Sequence, residues 1–230
     1  MDYSKYLVAR RGEDEDPETP ETDTPKGYYD INTEVKNATW GLADLLYLKD
    51  LKQRKLYLYD VICDETIGDV VRNILQFNRE DFGVPVEQRQ PILLYVTSRG
   101  GVVTDGFELI DVIRASKTPV YTINLGYQYS MGFLIGLAGH KRFCTKTSTF
   151  LLHDGDGFVY NSSSKMQDQM HFQQKLDDRI KAYVLERTNI TSREYDKNVR
   201  VEWYFFSDEA KARGITDYII GEDCDVDEIV

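Results

Sequence analysis

Cysteine is scarce: three residues in 230, Cys63, Cys144 and Cys224, odd in number and widely spaced. That count argues against a disulfide framework and offers no zinc-ligand spacing; it suits a reducing compartment. Histidine is as rare, with His140, His153 and His171 again lacking metal-ligand spacing. No apolar run reaches the length needed to cross a bilayer. The first residues have no apolar signal-peptide region. The expectation is therefore a cytoplasmic protein with no membrane anchor. A basic stripe with interleaved aromatics is missing too, which argues against nucleic acid as a partner. No repeat of 20–50 residues points to a solenoid.

What the chain does have is acid at its two ends. The stretch EDEDPETPETD (13–23) holds seven acidic residues and EDCDVDEIV (222–230) holds five, with no base in either. Removing those twelve from 39 leaves 27 acids against 28 bases, so the net charge of −11 belongs to the ends and the body is near neutral. An acidic, Pro/Thr-rich stretch cannot bury enough surface to offset ordering, so residues 10–26 are expected to be disordered. The length fits one domain with tails. We read 1–27 as an acidic extension, 28–221 as the folded domain and 222–230 as an acidic tail.

Within the body, residues 39–53 read as a short amphipathic helix and KLYLYDVI (55–62) as an alternating strand. Helical spacing runs through Ile67, Val70, Val71, Ile74 and Leu75. ILLYVTS (92–98) is a continuous apolar run, as in a buried parallel strand. Residues 104–116 resume helical spacing, PVYTINL (119–125) is a strand, and MGFLIGLAG a helix. RFCTK and STFLLH are short strands. Strand and helix thus alternate, which implies right-handed βαβ units in an α/β fold. Such folds gather chemistry at the carboxyl ends of the strands. Those ends are TSRGG, GYQYS and LLH. The long segment 162–188 is different: a polar helix with a broken stripe of Met166, Met170, Leu176, Ile180, Tyr183 and Val184, better suited to a projecting arm than to a crossover.

GYQYSMG (126–132) then raises a question, because it places a lone hydroxyl, Ser130, on a strand-to-helix turn. A helix N-cap is the ordinary role for such a serine, and a turn or core residue the ordinary role for His153. Several segments together say more. YVTSRGGVVTDGFELIDVI (95–113), INLGYQYSMGFLIGLAG (123–139), KRFCTKTSTFLLHDGDG (141–157) and FSDEAKARGITDYI (206–219) resemble, in order and spacing, the caseinolytic protease P (ClpP) family of serine peptidases. The resemblance covers about residues 55–220 and implies a crotonase-like α/β fold of repeated βαβ units, with 162–188 as the projecting handle helix.

The resemblance implies Ser130 as nucleophile, His153 as general base, and the backbone N–H groups of Gly101 and Met131 as an oxyanion hole. The chemistry of the residue types agrees. A histidine in reach makes a weak hydroxyl nucleophilic, and glycine lets the backbone approach a developing oxyanion. The family places an aspartate just before the F-x-S-x-x-E-A segment, where this chain departs with Glu202, which the resemblance implies as third member; Asn198 and Asp196 are alternatives if the gap falls differently. Two further departures are Arg99, where the family usually has proline, and a segment before His153 that is about two residues short. No cofactor is implied. Implied partners are polypeptide substrates, an AAA+ unfoldase and further copies of the chain in stacked heptameric rings. Two other readings stay open: a catalytically degenerate ring subunit, and a crotonase-fold enzyme acting on acyl-CoA, since fold alone does not assign function.

Overall fold

The computed structural model describes residues 41–155 and 163–229. The expected acidic extension, 1–27, and the serine-rich start of the long helix at Ser162 lie outside them. The chain divides into residues 1–43 and 44–230, and the second unit carries the fold. Helix α1 (Leu42–Lys52) runs across the boundary and buries none of its residues.

Five strands form one all-parallel sheet in the order β1 (Lys55–Leu58), β2 (Ile92–Val96), β3 (Val120–Asn124), β5 (Lys141–Thr145), β8 (Tyr218–Ile220). All residues of β2 are buried, as expected for a strand covered on both faces. The pleat divides them. Ile92, Leu94 and Val96 join the main core under helices α2 (Asp64–Glu80) and α3 (Val103–Ala115). Leu93 and Tyr95 face a smaller cluster with Ile123, Phe143 and Ile229. Ile229 belongs to the acidic C-terminal stretch, yet it is buried, and its carbonyl accepts the Tyr95 hydroxyl.

Three shorter strands make a second sheet, ordered β4 (Tyr127–Tyr129), β6 (Thr149–Leu152), β7 (Trp203–Phe206). β4 and β6 are parallel, with Tyr129 beside Leu151; β6 and β7 are antiparallel, with Leu152 beside Trp203. One face sends Phe150, Leu152 and Phe205 into the core, packed on helix α4 (Met131–Leu137). The other presents Tyr129, Tyr204 and Phe206 outward.

Several elements differ from the sequence reading. β1 stops at Leu58 where a strand to residue 62 was expected: after Leu58 accepts Thr97 N–H, the Asp60 side chain caps Val61 N–H and turns the chain out of the ladder. The chain returns at Ile62, as a single bridge to Gly101. In α2 the core face takes Ile67, Val70, Ile74 and Phe77, while Leu75 is 54% exposed. β4 occupies a stretch that reads as a turn. Helices α6 (Ser192–Asn198) and α7 (Ser207–Ala212) complete the fold.

Helix α5 (Ser163–Arg187) has two characters. Tyr183 and Val184 are buried near its end, and the Tyr183 hydroxyl donates to Leu134 O at 3.1 Å. Earlier, Met166, Met170 and Phe172 are exposed. Half of the helix is thus anchored on α4 and half carries apolar side chains into solvent.

Candidate active site

Strand register sets His153 against Glu202 and runs the Ser130 turn beside the strand that leads into His153. Tyr129 pairs with Leu151, so Ser130 follows at the level of Leu152, and Ser130 N–H donates to Leu151 O at 3.0 Å. The antiparallel pair Leu152–Trp203 sets His153 opposite Glu202 one step further on. His153 Nδ1 lies 2.9 Å from Glu202 Oε1. The turn after His153 is held by Asp154 N–H donating to Val199 O at 2.6 Å. The histidine ring is 20% exposed and the glutamate 56%, so the pair sits at the rim of the domain. Asp196 and Asn198 are engaged elsewhere. Asp196 binds Lys181 Nζ at 2.6 and 2.8 Å, and Asn198 Nδ2 donates to Glu194 O at 2.8 Å.

Ser130 stands immediately before α4 with φ 52° and ψ −120°. This left-handed backbone conformation is uncommon outside glycine. Its side chain makes no cap hydrogen bond, which removes the ordinary reason for a serine at this place. The sharp turn lifts the hydroxyl out of both strand and helix. Met131 follows as the first helical residue, and first-turn N–H groups have no partner within their own helix.

The loop Ser98–Gly101 closes against this turn. Tyr129 N–H donates to Ser98 O at 2.9 Å, and Gly100 N–H to Ser98 Oγ at 3.1 Å. Gly100 has φ 105°, and a β-carbon there would fall 2.7 Å from Ser130 Cβ and 3.0 Å from Met131 N. Gly101 has φ 155°, and a β-carbon on it would meet Ile62 O at 2.2 Å. Both positions therefore require glycine. Ile62 N–H donates to Gly100 O and Val102 N–H to Ile62 O. Those bonds tie the loop from one side, while the Gly101 N–H engages no acceptor among the described residues.

Two contributors were not apparent from sequence. Gly100, not only Gly101, permits the close approach to Ser130. Tyr204 donates from its hydroxyl to Glu202 Oε2 at 3.2 Å, leaving Oε1 to His153. Its phenol is held above the ordinary range, first by partial desolvation and then by the bond to Glu202. The available signal was the period of two along EWYFF: Glu202, Tyr204 and Phe206 share a face. The other histidines serve elsewhere. His140 Nδ1 accepts Val120 N–H at 3.1 Å, and His171 is exposed on α5. Among the described residues no helix is long and apolar enough to cross a membrane.

A hydroxyl on a strained strand-to-helix turn, a glycine loop against it and an imidazole fixed by a carboxylate are a combination suited to acyl transfer. It lies inside the region, residues 42–223, that matches the family model for Clp protease, and by that match, which spans most of the sequence, the chain belongs to the Clp protease family of peptidases.

Proposed function

We propose that this chain is a serine endopeptidase, the proteolytic subunit of an ATP-dependent Clp-type protease. The observation that carries the reading is the 2.9 Å contact of His153 Nδ1 with Glu202 Oε1; it is supported by Ser130 following directly on β4, the strand paired with β6. With Nδ1 protonated, His153 donates to Glu202, and Nε2 is the nitrogen left to accept the Ser130 proton. Ser130 Oγ attacks the scissile carbonyl carbon. The carbonyl oxygen becomes an oxyanion, stabilised by the N–H groups of Gly101 and Met131. Two such donors contribute several kcal/mol, on the order of 3–4 each, to the transition state. His153 returns the proton to the leaving amine. Water, deprotonated by the same imidazole, then releases the acyl group and restores Ser130.

No cofactor enters this chemistry. The peptidase domain is read as residues 28–221, between the acidic ends. The exposed apolar side chains of α5 support packing against further copies in stacked heptameric rings, and the family supports an AAA+ unfoldase that delivers polypeptides. The three free cysteines support a reducing, cytoplasmic setting.

The test is fluorophosphonate labelling of the purified full chain, with mass spectrometry to locate the adduct, beside peptide hydrolysis. We expect the adduct on Ser130. Ser130→Ala should lose labelling and hydrolysis while keeping the oligomer. Unchanged turnover in that variant would remove the serine-peptidase reading.

A further inference from the structure

Arg99 immediately precedes the glycine pair at the Ser130 turn and is exposed. Its guanidinium carbon lies 5.5 Å from the centre of the Tyr127 ring. Tyr127 continues to Tyr129, with ring centroids 5.2 Å apart, and Tyr129 meets Tyr204 edge-on at 5.7 Å. Tyr129 is fixed in turn by its hydroxyl contact with Thr149 Oγ1 at 2.8 Å. A rail of three rings therefore runs from Arg99 to Tyr204, whose hydroxyl touches the Glu202 carboxylate.

The use made of this arginine differs from that of Arg54 and Arg142. Arg54 and Arg142 spend their N–H groups on carboxylates and backbone carbonyls. Arg99 forms no ion pair among the described residues and lies over the Tyr127 ring. A cation–π contact of this kind does not consume the N–H donors of a guanidinium. What remains is a fork of N–H groups able to bind a carboxylate through two parallel hydrogen bonds.

The place of this fork follows from chain geometry. Two Cα steps separate Arg99 from Gly101, at most about 7.6 Å. A substrate whose carbonyl oxygen sits at the Gly101 and Met131 N–H groups has its neighbouring side chains within reach of an arginine. We propose that Arg99, held on the Tyr127–Tyr129–Tyr204 rail, is a specificity-determining residue that selects polypeptides with an Asp or Glu side chain within two positions of the cleaved bond. This rests on the peptidase reading above. The fork binds the carboxylate and the rings cover the methylenes of the acidic side chain. The pair is solvent-exposed, so its selectivity is modest and sensitive to salt.

The test compares kcat/KM of the assembled full chain on matched fluorogenic peptides carrying Glu, Gln or Lys at each of the two positions on either side of the cleaved bond. At one of these positions Glu should exceed Gln by about 3–10-fold, Lys should fall below Gln, and 1 M salt should flatten the ratio. Arg99→Glu should reverse the order, and Arg99→Gln should bring the ratios close to one. Arg99→Gln keeps the test readable should Arg99→Glu fail to assemble. Equal rates for Glu and Gln in the native protein at every position, or a Glu preference retained in either variant, would overturn the subsite. Fluorescence anisotropy of the same peptides on Ser130→Ala separates the two claims. A Glu preference in binding without hydrolysis by the native protein keeps the subsite and removes the peptidase. Hydrolysis without preference does the reverse. Neither binding nor hydrolysis removes both.

Discussion

Two polar networks sit at different places in this domain. At the amino ends of the parallel sheet, Arg54 makes two bonds of 2.7 Å to the two oxygens of Asp81 and one of 2.9 Å to Gln90 O. Thr118 donates to the same aspartate at 2.7 Å, and the Asn78 amide oxygen accepts the N–H groups of Lys117 and Thr118. The Asp81 side chain is 9% exposed. In the second network, at the rim of the smaller sheet, Glu202 is 56% exposed and holds one bond from Tyr204 and one contact with His153. The first network is saturated and dry, and it joins β1, α2 and β3. The second is sparse and wet, with donor and acceptor capacity to spare. Polar groups that fix a fold must be fully paired, because a buried unpaired group costs about 1–3 kcal/mol. Polar groups that do chemistry must stay incompletely paired, so that a substrate completes them.

The contrast predicts opposite costs. Glu202→Gln keeps the size of the side chain and removes its charge. Single-turnover peptide cleavage should fall by about two to three orders of magnitude, less than the roughly four orders seen in the serine-protease template, since this longer acid is exposed and less firmly held. The melting temperature should stay within a degree or two. A matching loss of stability would show that the rim network is structural after all.

Asp81→Asn should do the reverse, with a loss of about 2–3 kcal/mol in folding stability by urea titration and little change in the chemical step per folded molecule. The pH dependence sharpens this. The paired guanidinium of Arg54 holds the Asp81 carboxyl below its ordinary value, assisted by the Thr118 hydroxyl. A depressed carboxyl contributes stability that is present above its unfolded pKa and lost as pH falls through the folded one. The difference between native and Asp81→Asn should therefore be full at pH 7, persist to about pH 4 and close only below that. A difference that closes near pH 6 would mean that some other group titrates.

The smallest effect belongs to Tyr204. Tyr204→Phe keeps the ring against Tyr129 and removes the bond to Glu202, a loss of about 1 kcal/mol or a 3–10-fold fall in kcat. KM for a neutral peptide should hold, because the ring rail is intact. Loss of KM instead would make Tyr204 a substrate contact and not a positioning residue.

Periodicity carried much of the fold. The unbroken run at 92–96 and the helical spacings of α2, α3 and α5 reflect burial of one stripe or two faces, which composition records directly. The division into two sheets was not legible, because pairing partners are set by tertiary packing and β4, β7 and β8 are only three or four residues long. Gln128 illustrates the difficulty: it is a polar residue at the centre of a strand, yet it is buried, with its amide reaching toward Val96 O. In the candidate site, Ser130, His153 and Glu202 were marked by resemblance of spacing, while Tyr204 was not. A tyrosine in an aromatic run reads as core, and only the alternation of the finished strand reveals which ring faces water.

Ser130 carries a consequence for the history of such a chain. A non-glycine residue at φ 52° costs about 1–3 kcal/mol of backbone strain. Glycine removes that strain and loses about 0.5–1 kcal/mol to the greater freedom of the unfolded chain. Ser130→Gly should therefore melt above Ser130→Ala, by an amount equivalent to about 1 kcal/mol. The position proposed as nucleophile is thus the one where the fold would prefer a residue that has no hydroxyl. In a copy released from the need to cleave, mutation toward glycine would be both permitted and stabilising, so activity would decay along a downhill path. A serine retained here is a residue that selection for folding alone would not keep.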